Sequence, residues 1–244
     1  GISIHTNSQV KELRVAQGEK IARVNVAGKE MEIAFDELLI GTGKTPNTTG
    51  LGLDAAGVAL SNRGAIQVNA YYQTNAPHIY AVGDAANLPK RLETTAGKEG
   101  SFAALNAMTG VNKNKIDYNL VPSVVFTYPA VADVGLLDEE VPAQGLRCMC
   151  GTVYLDKLPK SRVIKDTRGA IKMVAEEKSG RIVWIHIIAP YAEELINAAM
   201  YLLRARMTID DVIDSLTVFP TMSEAIKLAA LSFRTDIDKL SCCI

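Results

Sequence analysis

The chain has 244 residues, 48% of them hydrophobic and 22% charged, with a net charge of −1; that is a globular composition with ample length for a core. The charge balance excludes a basic nucleic-acid surface, and no apolar run reaches the roughly 18–20 residues of a membrane span. Four cysteines, Cys148, Cys150, Cys242 and Cys243, are too few for a disulfide scaffold and fit a reducing cytoplasm.

The opening, GISIHTNSQV, has no basic flank or long apolar block and so no signal peptide; without an initiator methionine it fits a processed or trimmed piece. Short β-branched or alternating runs predict strands at 2–6, 10–16, 21–27, 31–35 and 38–40, with turn signals at Gln17-Gly18 and Gly28. GTGKTPNT, from Gly41 to Thr48, reads as a sharp exit from a sheet. Tyr80-Ala81-Val82 predicts a strand that stops at Gly83-Asp84. A helix is predicted over 95–108, with small residues on one side and Gly110 closing it.

Further on, strands are predicted within 122–134 and at 152–155, 171–176 and 182–189, with Gly180 in the turn before the last. A helix over 192–206 carries Glu193 and Glu194 early and Arg204 and Arg206 late, as the helix dipole favours. Thr208 is an N-cap residue for a helix over 209–216, and a third helix is predicted over 223–233. A polar tail follows from Asp236. The second half therefore reads as a sheet backed by helices, a compact α+β domain.

An apolar strand ending in Gly83-Asp84 can aim one carboxylate at a ligand beyond a sheet edge, where it accepts hydrogen bonds from sugar hydroxyls. Three segments together, GTGKTPNT, TNAPHIYAVGDAAN at 74–87 and LETTAGKEGSFAALNAM at 92–108, resemble the flavoprotein disulfide reductases in order and spacing. The resemblance implies that Gly83 and Asp84 hold the ribityl chain of FAD. It also implies that the amides of Glu93, Thr94 and Thr95 face the flavin, where helix-terminal positive charge suits a reduced, anionic ring. PSVVFTYPAVADVGL at 122–136 and the stretches at 166–190 and 192–203 resemble the same family's interface domain, which implies a homodimer. Trp184 departs from the family pattern, which has glycine there; an indole in that place must find room and an N–H partner.

Within FPTMSEAIKLAA at 219–230, Pro220, Thr221, Ser223 and Glu224 match the family's His-Pro-Thr-x-Ser-Glu, but Phe219 stands at the histidine. Phenylalanine carries no proton, which argues against dithiol–disulfide substrates. The mercury-reducing members of the family resemble the chain most closely: they lack that histidine and end in a Cys-Cys pair. The resemblance implies that Cys242 and Cys243 bind Hg(II) as a bis-thiolate and pass it to the partner subunit's redox centre, with Glu224 and Phe219 beside the reacting site. Soft Hg(II) prefers thiolates to oxygen or nitrogen donors.

The expected fold class is an α/β remnant of FAD and NAD(P)H domains plus an α+β C-terminal interface (dimerisation) domain. Residues 1–44 would end the NAD(P)H domain, 45–119 return to the FAD domain, 120–235 form the interface domain, and 236–244 a flexible tail. Neither a Gly-x-Gly-x-x-Gly nor a Cys-x4-Cys pair is present, so the NADPH site, most of the FAD site and the redox dithiol are expected in a missing N-terminal half, and the isolated chain is expected to be inactive. Two alternatives are a non-catalytic dimerisation and soft-metal-binding module, and another flavin disulfide reductase. Cys148 and Cys150 share a strand face and could pinch a metal, but are expected to be structural. His5, His78 and His186 show no ligand spacing and are assigned no catalytic role.

Overall fold

A computed structural model describes residues 1–136, 145 and 147–240. The chain divides into two compact units, Gly1–Thr45 and Pro46–Ile244.

The first unit is an antiparallel meander of β1 (Ser8–Ala16), β2 (Glu19–Val26) and β3 (Lys29–Phe35). Both connections are two-residue loops with positive φ at both positions, Gln17-Gly18 and Ala27-Gly28, the turn whose twist matches paired strands. The runs expected as strands at 2–6 and 38–40 are not strands. A β-prone run needs a ladder partner, and none lies beside them among the described residues; Leu39 is 96% exposed.

The second unit begins with turns around a small core of Val58, Ile66, Ala81 and Ala86. The strand expected at 80–82 is reduced to one antiparallel bridge, Gln73 to Tyr80. Helix α1 (Glu93–Thr109) follows and ends at Gly110 in the left-handed region. Then comes a five-stranded antiparallel sheet of order β4-β5-β8-β7-β6. Its strands are β4 (Ser123–Val125), β5 (Ala130–Gly135), β6 (Cys148–Tyr154), β7 (Ala170–Glu176) and β8 (Ile182–Ala189). A short helix, α2 (Pro159–Val163), joins β6 to β7. It escaped the sequence reading because five residues show no helical period; Pro159 at its start and the buried Ser161 hydroxyl, donating to Leu158 O at 2.7 Å, define it instead.

Strand alternation assigns the two sheet faces. Ala132, Val134, Ile171, Met173, Val153, Ile185 and Ile187 point into one core with α3 (Ala192–Arg204), α4 (Ile209–Asp214) and α5 (Glu224–Leu231). On the other face the ladder register lines up a polar row across all five strands, Thr152, Lys172, His186, Asp133 and Ser123. Trp184 lies on that face in the next row, buried, with the Lys172 ammonium 4.9 Å from the ring centroid. It found room but no hydrogen-bond partner: its indole N–H is unsatisfied among the described residues.

Thr208 caps α4 as its sequence predicts. Its Oγ1 accepts from Asp211 N at 3.2 Å, while Asp211 Oδ2 accepts from Thr208 N at 2.8 Å. Thr208→Ala is expected to cost about 1–2 kcal/mol, read as a lower urea midpoint with unchanged slope; an unchanged midpoint would show the capping box to be idle.

Candidate functional site

Gly83, Asp84 and Ala85 form a single 3-10 turn. Gly83 has φ +64°, and a Cβ there would lie 3.2 Å from Ala96 Cβ, so the turn abuts the first turn of α1. Residue 83 thus favours glycine for its backbone, and a Cβ there would press Ala96 to give by a few tenths of an ångström. Asp84 is half-buried beside it. The structure thereby brings together Gly83 and Asp84 with Glu93, Thr94 and Thr95, which open the 17-residue α1. Leu92, at the N-cap, has no acceptor side chain, and Thr95 Oγ1 turns back to donate to Leu92 O at 2.8 Å. Thr95 Oγ1 also accepts from Leu92 N at 3.3 Å, but the N-cap side chain caps none of the first helical amides, which carry the helix's partial positive charge. A carboxylate acceptor next to such a helix start fits a hydroxyl-bearing, anionic group such as FAD.

What holds this arrangement is Glu99, which sequence reasoning missed. Its side chain is completely buried; Oε2 accepts from Gly83 N at 2.8 Å and Oε1 from the Tyr118 hydroxyl at 2.9 Å. Burial and the adjacent Glu99 push the Tyr118 phenol well above its ordinary range, so it remains a donor. The buried stripe of α1 is Thr95, Glu99, Ala103 and Asn106. A glutamate at helical spacing from a threonine and an alanine on the small-residue side was the available signal.

Phe219 sits on a separate element, the loop into α5, and Glu224 is the first residue of that helix. The Phe219–Pro220 bond is cis. Phe219 is not core, being 46% exposed. Glu224 is held to that loop, where Oε2 accepts from Thr221 N at 3.1 Å. It also lines a groove of about 620 Å³ with Lys157, Arg162, Lys227 and Leu240. The tail is anchored at this groove: Ile237–Lys239 form a 3-10 turn, Ile237 packs on the core and Asp238 pairs with Lys157. Cys242 and Cys243 lie outside the described residues. Cys148 and Cys150, expected among structural, buried cysteines, are both exposed.

The family profile described as "Pyridine nucleotide-disulphide oxidoreductase" matches residues 1–100, and that family's dimerisation domain matches residues 121–230. The mercuric reductase of Acidithiobacillus ferrooxidans is 40% identical over 243 residues, covering 100% of this chain and 43% of the relative. That of Shigella flexneri is 38% identical over 243 residues, with 100% and 43% covered. That of Streptomyces lividans is 36% identical over 244 residues, with 100% and 51% covered. The chain thus spans about half the length of the curated relatives it matches. Among solved structures, LpdA from Mycobacterium tuberculosis superposes with a TM-score of 0.82 at 25% identity, covering 94% of this chain and 49% of that one. The Cu(II) complex of the flavoprotein disulfide reductase RclA from Escherichia coli gives 0.77 at 25% identity, with 91% and 49% covered. No helix among the described residues is long and apolar enough to cross a membrane.

Proposed function

The chain belongs to the pyridine nucleotide-disulphide oxidoreductase family, and from that premise we propose that it supplies the C-terminal part of a homodimeric, NADPH- and FAD-dependent enzyme reducing Hg(II) to Hg(0). The observation that carries this reading is the loop into α5. Its side chain at the position of the family's proton-carrying histidine is Phe219, and Glu224 accepts from the Thr221 amide. Such a loop cannot relay protons to a dithiol substrate, but reduction of a thiolate-held metal ion needs no proton at that place.

Asp84 would hold the cofactor's sugar-chain hydroxyls, and the amides of Glu93, Thr94 and Thr95 would stabilise negative charge on its reduced form. A bound flavin supplies the two-electron relay between reduced nicotinamide and the metal-bearing thiols. Cys242 and Cys243 take Hg(II), releasing their two protons to solvent. They hand it on by thiolate exchange, so the ion is never without sulfur ligands. The groove beside the anchored tail, with Lys157, Arg162 and Lys227 on its wall, sets where that exchange begins.

The test uses the intact enzyme with Cys242→Ser/Cys243→Ser. With Hg(II) presented in excess small-molecule thiol, NADPH oxidation should fall about tenfold or more, because an intramolecular thiol pair no longer competes with the bulk ligand. Undiminished turnover under those conditions overturns the role of the tail. Stoichiometric Hg(II) binding by an intact protein that never retains flavin would favour the non-catalytic binding module.

A further inference from the structure

The groove beside the tail carries a charge pattern that exchange of a metal ion does not by itself need. Among the described residues, three cations line it, Lys157, Arg162 and Lys227, against two carboxylates, Glu224 and Asp238. Lys157 and Asp238 pair with each other. Arg162, on α2, and Lys227, on α5, form no ion pair among the described residues. Arg162 Nε donates to Asp156 O at 2.7 Å, and Lys227 Nζ donates to Ser215 O at 2.9 Å. Both acceptors are neutral backbone carbonyls. Glu224 is the lining carboxylate left to balance them, so the described wall holds one positive charge in excess.

Lys227 is only 8% exposed and still lines the groove. An ammonium offers three N–H donors, and a single carbonyl takes one of them. A buried charge is costly unless it is both paired and hydrogen-bonded, so an anion seated in the groove supplies what Lys227 lacks. The exposed Arg162 adds a planar fork of donors, whose geometry matches a carboxylate. Pro159, Leu228 and Leu231 contribute apolar wall, and about 620 Å³ is room for a small organic molecule rather than for a bare ion alone. In a thiol-rich solution Hg(II) travels between two thiolates, and the metal with its two sulfurs is neutral. Any charge these cations can read therefore belongs to the rest of the thiol carrier.

We propose that Lys227 and Arg162 make this groove select Hg(II) brought by carboxylate-bearing thiols, the carboxylate docking on the two cations while the metal is exchanged. The inference rests on the mercury-reducing reading given above and names the carrier that reading leaves open. No bond forms or breaks at the carboxylate. Lys227 and Arg162 are specificity determinants, and their contribution is to hold the carrier.

The experiment follows NADPH oxidation by the intact enzyme with Hg(II) held in excess mercaptoacetate, mercaptoethanol or cysteamine. These thiols are similar in size and carry a negative, no and a positive charge. Their intrinsic exchange rates differ, so the readout is the ratio of kcat/KM for the anionic carrier to that for the neutral one, compared between variant and parent. Lys227→Gln should cut this ratio about tenfold, through KM rather than kcat, as a charge-assisted contact is lost. That substitution also disturbs the bond to Ser215 O, so Arg162→Gln, at an exposed side chain, is the second variant and should cut the ratio about threefold. Acetate should compete with the anionic carrier, and sodium chloride at equal ionic strength should not. A ratio unmoved by either substitution overturns the proposal and leaves the mercury-reducing reading in place. Inhibition by chloride equal to that by acetate overturns it in the same way, since general screening then explains the preference. Turnover with none of the three carriers overturns the mercury-reducing reading, and this inference with it.

Discussion

Replacing Glu99 with leucine is expected to destabilise the second unit by about 2–5 kcal/mol and, in the intact protein, to abolish flavin retention. The carboxylate is completely buried and satisfies two donors, the Gly83 amide and the Tyr118 hydroxyl. An apolar isostere deprives both half-buried donors of their acceptor, each at a cost of about 1–3 kcal/mol. The thermal midpoint should drop by roughly 10 °C at this chain length. Glu99→Gln should do less harm, because its amide oxygen still serves one donor while its NH2 faces the other. Tyr118→Phe removes one hydrogen bond to a carboxylate and should cost about 1.5–3 kcal/mol. Losing the Gly83 contact releases the turn that presents Asp84, so flavin content should track Glu99→Leu more closely than Tyr118→Phe. A Glu99→Leu protein that melts within a degree of its parent would mean the two donors find other acceptors, and the assigned role would fall.

The second large effect belongs to Gly169, where the chain enters β7. Its φ is +119°, and a Cβ would sit 1.8 Å from Ile188 O and 2.7 Å from the Ile188 carbonyl carbon. The obstacle is backbone of the neighbouring strand, which cannot swing aside as a side chain can. Gly169→Ala must either break the β7–β8 ladder locally or force the strands apart. A loss above about 4 kcal/mol is expected, in the range reserved for such backbone conflicts. Gly110→Ala is the control. That glycine also has positive φ, +65°, but its Cβ would meet nothing within 4 Å, so only the conformational cost of about 1 kcal/mol remains. The two variants should be well separated in guanidinium midpoint; coincident midpoints would refute the clash.

The sequence made legible those features whose cause is local. β8 was read residue for residue because a β-branched run is bounded by Gly180 and Pro190. Thr208 announced its helix through its hydroxyl, and Gly110 ended α1 through its freedom at positive φ. What escaped depends on partners elsewhere in the chain. Runs at 2–6 and 38–40 have strand composition but no neighbour to pair with among the described residues. β6 begins at Cys148, earlier than its apolar pattern suggests, because Ala175 and Glu176 extend the ladder beside it. Glu99 drew no notice, since nothing local tells that Gly83 and Tyr118, 16 positions before it and 19 after, converge on it. Gly83, Asp84 and the opening of α1 were found as a pair of motifs; that they form one site depends on the glutamate between them.

The Lys157–Asp238 pair, the turn around it and Ile237 on the core seat the chain at the groove up to Leu240. Only three peptide steps then separate Leu240 from Cys243, a span of at most about 11 Å. Sulfur atoms tethered within a sphere of that reach have an effective concentration of about millimolar toward any acceptor inside it, well above micromolar solutes. Cutting the leash at Asp238, by substitution or by strong salt, would enlarge the sphere and dilute them, trading capture strength for range.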